Sequence, residues 1–147
     1  FKDSMISVSD SAATVEELDS LYKHASVALE INSDSEKINC YEDLGIYKIL
    51  VGVKDKKILT RFYDDTLGKL NQMEAGKRDD FVRTLEIYLK TGGNILQIAK
   101  LSNAHRNTVL YRINKIEELL GIDISDGEVR TALQVALYLK KIISGGI

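Results

Sequence analysis

Residues 94–120, NILQIAKLSNAHRNTVLYRINKIEELL, constrain this chain more than any other stretch. Two apolar sets recur in it at three- and four-residue spacing, Ile95, Ile98 and Ala99, then Val109, Ile113, Ile116 and Leu120. That period puts each set on one face of a helix, and almost nothing separates the two. The pattern predicts helix, tight turn, helix. Asn94 follows Gly92 and Gly93 and can cap the first helix, because its side-chain oxygen can accept an amide hydrogen that the first turn leaves unpaired. Ala99 falls where two crossing helices approach closely, and Asn103 where such motifs turn through a left-handed backbone. Glycine is the most tolerant residue there, and asparagine comes next. The second helix is expected over about residues 104–120.

That helix opens with His105, Arg106, Asn107 and Thr108 and continues with Tyr111, Arg112, Asn114 and Lys115, every one a hydrogen-bond donor. Between residues 94 and 115 the cations are Lys100, Arg106, Arg112 and Lys115 and there is no acid, so four charges minus none give +4 in a chain whose net charge is −2. A segment that drops its acids in an acidic protein is placed against an anion, and phosphate oxygens are the usual candidate. On a helical wheel Asn107, Thr108, Tyr111 and Lys115 lie opposite the stripe of Val109, Ile113, Ile116 and Leu120. This polar side could enter a DNA major groove, with Arg106 forking onto guanine, Asn107 pairing with adenine and Thr108 meeting a thymine methyl or a phosphate. His105 sits toward the stripe edge and could equally be a capping or packing residue. Arg106 is also near that edge and could pair with an acid of the final helix. Tyr111 and Arg112 read as phosphate contacts or as plain surface.

At 147 residues with 44% apolar and 29% charged composition, the chain can bury a core in one or two small domains. It has no apolar run of membrane-spanning length and no basic-then-apolar leader, so a cytoplasmic protein without a membrane partner is expected. The single cysteine, Cys40, has no partner for an internal disulfide or a thiolate metal site and is read as structural. The paired acids Glu16-Glu17, Asp64-Asp65, Asp79-Asp80 and Glu117-Glu118 sit in polar contexts, where a solvated face explains them. His24 and His105 are far apart, and Gly92-Gly93 lacks the lysine and serine of a phosphate loop. The chain is therefore not expected to be an enzyme or to hold a metal or cofactor. RNA ranks below duplex DNA, since Tyr111 is the one aromatic in the segment and single-strand readers need a stacking platform.

The strand-like run Met5-Ile6-Ser7-Val8 follows Phe1 and looks like the last strand of a larger domain cut through. Thr14 and Glu17 form a capping box for a helix carrying Val15, Leu18, Leu21, Tyr22, Ala25 and Leu29. Residues 32–37 read as a polar loop, and Ile38, Cys40 and Leu44 as a short strand before a turn. One helix is expected over residues 41–53 and a second carrying Ile58, Leu59, Phe62, Tyr63, Leu67 and Leu70. A third is expected to begin at Asp79-Asp80, where acids suit the helix dipole, and to run to Gly92-Gly93. Gly121 ends the element after the turn motif, and a last helix from about Asp126 is apolar over most of its circumference. Such a helix is buried on more than one side, and a subunit interface is one way to achieve that.

Together these residues carry a family resemblance. The run HRNTVLYRINKIEELLGIDISDGEVRTALQVALYLKKI resembles the C-terminal, Fis-like helix-turn-helix domain of PucR/CdaR-type bacterial transcription regulators. YEDLGIYKIL, LTRFYDDTLGKL and RTLEIYLKTGGNILQIA are also similar to that family, so the likeness covers roughly residues 41–147. Ser102 and Ala104 depart from it in the turn, where the family usually has a leucine and a β-branched residue. The resemblance implies that residues 1–40 are the end of an α+β, GGDEF-like regulatory domain. No GGDEF or GGEEF run is present, so no cyclase chemistry is implied.

The expectation is a mostly α fold. Residues 1–40 would be the α+β remnant, 41–75 connector helices and 76–147 a helix-turn-helix DNA-binding domain. His105, Arg106, Asn107, Thr108, Tyr111, Arg112 and Lys115 would contact double-stranded DNA. By the resemblance, a small-molecule effector such as a purine breakdown product or a sugar diacid would act through the upstream domain, and a homodimer is expected. The competing reading from the residues alone is a helical dimerisation or signal-relay module that binds an acidic protein partner.

Overall fold

The computed structural model describes residues 5–31 and 38–145. The expected polar loop at residues 32–37 and the opening Phe1 lie outside the described residues. The fold is mostly helical with one small sheet, as the sequence patterning predicts. It divides into two compact units, Phe1–Leu59 with Tyr138–Ile147, and Thr60–Leu137. Among the described residues, no helix is long and apolar enough to cross a membrane.

In the first unit, β1 (Ile6–Val8) and β2 (Ile38–Cys40) pair in parallel with Ile6 opposite Ile38 and Val8 opposite Cys40. Parallel strands need a long crossover, and α1 (Leu18–Ile31) lies in it. Strand alternation turns Asn39 inward and buries it, while Ile6, Val8 and Ile38 are exposed. The expected capping box is not made. Glu17 Oε2 accepts the Ala13 N–H at 2.9 Å, but the Thr14 side chain caps no amide, and the segment opens as a 3₁₀ turn over Val15–Glu17. Of the apolar stripe expected on α1, Val15, Leu18 and Tyr22 are exposed and Leu21, Ala25 and Leu29 are half-buried, whereas the residues of α1 that enter the core, Ala28 and Ile31, lie outside that stripe.

The single helix expected over residues 41–53 is instead broken. A 3₁₀ turn, Tyr41–Leu44, stops at Gly45, whose φ of 53° leaves the helical region, and α2 (Tyr47–Gly52) starts afresh. The periodicity of Leu44, Tyr47 and Leu50 continues through this break, so apolar spacing alone cannot reveal it. Next comes α3 (Lys56–Asn71), close to its expected extent.

The second unit packs the later turns of α3 with α4 (Ala75–Lys90), α5 (Ile95–Ser102), α6 (Arg106–Leu120) and the first part of α7 (Gly127–Gly145). Leu67, Phe81, Leu85, Ile98, Val109, Ile116 and Leu133 form the centre of its core. Complete burial of such side chains contributes about 1.5–3 kcal/mol each relative to exposure. The start of α4 lies a turn earlier than expected. Ala75, Gly76, Lys77 and Arg78 contain no proline, and Arg78 N–H already donates to Glu74 O at 2.8 Å, so Asp79 and Asp80 fall inside the helix. Asp126 caps α7 by accepting from the N–H groups of Glu128 at 2.7 Å and Val129 at 3.1 Å.

Candidate nucleic-acid interface

Three short-range devices set the α5–turn–α6 geometry. Gly92 and Gly93 take φ values of 62° and 84°, ending α4, and a Cβ on Gly93 would stand 3.0 Å from the Tyr88 ring. Asn94 then caps α5, its Oδ1 accepting from Gln97 N–H at 3.2 Å. At the far end Asn103 adopts φ 50°, ψ 42°, and Ala104 N–H returns to Ala99 O at 3.0 Å. That closes α5 with the left-handed residue the sequence predicts and redirects the chain into α6. The two departures in the turn are both accommodated. Ser102 Oγ donates to Ile98 O at 2.7 Å, and Ala104 packs partly buried against the core.

His105 is the N-cap of α6: its Nδ1 accepts the Asn107 N–H at 3.3 Å, so this residue starts the helix. Val109, Ile113 and Ile116 form the buried stripe. Arg106, Asn107 and Thr108 are exposed, and among the described residues their side chains have no hydrogen bond or ion pair. The pairing of Arg106 with an acid of α7, open on the sequence, does not occur there. Tyr111 is also exposed, but its ring meets Phe81 of α4 edge-on with centroids 6.3 Å apart. Lys115 is half-buried and reaches Glu118 Oε1 at 2.8 Å along its own helix.

Arg112 is placed differently from a free phosphate contact. Its side chain is 15% exposed and pairs with Asp80, while Nη1 donates to Thr84 Oγ1 at 3.3 Å. Sequence reasoning missed Asp80 and Thr84 as partners. The available signal was weak: they lie four apart on α4, flanking the apolar positions Phe81 and Leu85. Other paired acids are also engaged. Glu117 Oε1 accepts Ile124 N–H at 3.0 Å, and Asp65 lies 3.7 Å from Arg61. The exposed polar residues of α5 and α6 therefore include Lys100, Arg106, Asn107, Thr108, Tyr111 and Asn114, with no acid before Glu117.

Capped α5, a left-handed turn and an α6 that opens on unpartnered donors define a helix-turn-helix domain. Residues 81–139 match the family described as the PucR C-terminal helix-turn-helix domain. The chain is similar to the purine catabolism regulatory protein of Bacillus subtilis (strain 168), 39% identical over 95 residues that make up 65% of this chain and 17% of that protein. It is also 33% identical over 115 residues to the proline-responsive transcriptional activator PutR of the same organism, covering 78% of this chain and 28% of the relative. Both relatives are regulators, and the chain spans less than a third of either. Its fold is similar to that in the crystal structure of a regulator of polyketide synthase expression from Bifidobacterium adolescentis, with TM-score 0.52 and 22% identity over 84% of this chain and 50% of that one.

Proposed function

We propose that this chain is the DNA-binding end of a PucR/CdaR-type transcription regulator, and that α6 reads the major groove with its N-terminal turns. The observation that carries this is the exposed trio Arg106, Asn107 and Thr108 at the start of α6, each free of partners among the described residues. Helix-turn-helix recognition uses the N-terminal residues of the second helix for base edges, and arginine and asparagine make the bidentate contacts that discriminate guanine and adenine. His105 would act by setting this turn. Tyr111, Lys115 and Lys100 would border the groove as backbone contacts, which position the protein without reading sequence.

The rest of the reading follows from scale. One helix covers few base pairs, so two copies would bind half-sites about 34 Å apart. Residues 76–147 would serve as the DNA-binding domain, 41–75 as connector and 1–40 as the end of an α+β, GGDEF-like regulatory domain in a cytoplasmic protein. The outward apolar face of Ile6, Val8 and Ile38 supports that last assignment, because a two-stranded sheet with an uncovered apolar face is marginal alone. A small metabolite received upstream would set the response, as the names of the purine and proline regulators suggest for those proteins.

The test is selection of duplex sites from a random pool, followed by binding of Arg106→Ala and Asn107→Ala with folding checked by circular dichroism. Each variant should lose about 1–3 kcal/mol of discrimination at one base position and leave the others unchanged. Uniform weakening at every position, or no selected site, would remove these residues from base reading.

A further inference from the structure

We infer that Arg112 is a positioning residue, which locks α6 onto α4 through Asp80 and Thr84 and does not itself contact DNA phosphate. The inference rests on the DNA-binding reading above and concerns how that reading is built.

Each polar group at this seam already has a task. Thr84 is fully buried, and its hydroxyl hydrogen goes to Asp80 O at 2.8 Å, which leaves oxygen lone pairs free to accept from Arg112 Nη1 at 3.3 Å. Arg112 Nη2 holds the Asp80 carboxylate. A planar guanidinium presents several donors in fixed directions, so it can serve a hydroxyl and a carboxylate together, which a lysine ammonium at the end of a flexible stem does poorly. One residue earlier, Tyr111 meets Phe81 edge-on, so adjacent residues of α6 are tied to neighbouring positions of α4. Swinging Arg112 out to a phosphate would break this tie and leave the Asp80 carboxylate unpaired near the DNA face. Arg106 lies six residues up the helix, about 9 Å away, so a tilt at the seam moves the base-reading end.

The two roles predict opposite signs at Asp80. If Arg112 positions α6, Asp80→Ala weakens binding of a selected duplex by about tenfold, Arg112→Met does the same, and neither changes the salt slope. Arg112→Lys recovers only part of the loss. The double variant Asp80→Leu with Arg112→Met, an apolar pair in place of an ionic one, restores most of the affinity. If Arg112 binds phosphate, Arg112→Met lowers the salt slope by about 0.9 and Asp80→Ala strengthens binding by removing a repelling charge. That pair of results would overturn the inference. A wild type that ignores duplex DNA at low salt would sink the parent reading instead. The lock is then judged by thermal unfolding without DNA, where non-additive Tm losses for Asp80→Ala and Arg112→Met support it and additive losses refute it.

Discussion

At the residue scale, the turn rests on a few backbone positions whose needs are local. Asn103 sits at φ 50°, where a side chain with a Cβ is strained unless it is asparagine or aspartate. Asn103→Gly should leave stability nearly unchanged, and Asn103→Val should cost about 1–2 kcal/mol in urea unfolding. Equal stabilities would show that the turn tolerates any residue. Asp123, in the link from α6 to α7, accepts from both the N–H and the hydroxyl of Ser125, and these bonds hold its carboxyl below the usual aspartate range. A lowered folded pKa gives stability that is present above the unfolded pKa and is lost as pH falls through the folded one. Asp123→Ala should therefore lower stability at neutral pH and flatten its decline on acidification below the ordinary aspartate range. An unchanged acid limb would assign that decline to other carboxylates.

At the element scale, the caps explain why α5 and α6 were legible in sequence. Asn94, Asn103 and Gly121 act on bonds within a few residues of themselves, so residue identity alone marks the boundaries. Apolar periodicity located α3 and α7. Local reading failed where that periodicity runs on through a backbone break, at Gly45, and where no residue punctuates the start, at Ala75. It also failed for Arg112, because its partners lie 28 and 32 residues away and only the packing of α4 against α6 brings them near. In the candidate site, exposed Asn107 and Thr108 follow from the wheel, whereas the tether of Arg112 does not. Ile98 is the completely buried residue of α5 and anchors the helix beneath the turn. Ile98→Ala should destabilise by about 2–5 kcal/mol in denaturant unfolding. A loss below 1 kcal/mol would mean that α5 is not held by the core.

At the scale of the whole molecule, binding of two copies to one duplex would follow a geometric rule. Two copies on half-sites one helical turn apart should lose cooperative binding when about five base pairs are inserted between them, and recover it at about ten. Binding that ignores this phase would point to one copy per site. Whether α6 meets duplex DNA is read from the affinity of this chain for duplex DNA across a salt series, beside fold-checked Arg106→Ala. The expected log–log slope is about −0.9 for each phosphate neutralised, with weaker binding by the variant. Affinity that does not vary with salt, or no binding at low salt by a folded protein, would contradict contact between α6 and DNA.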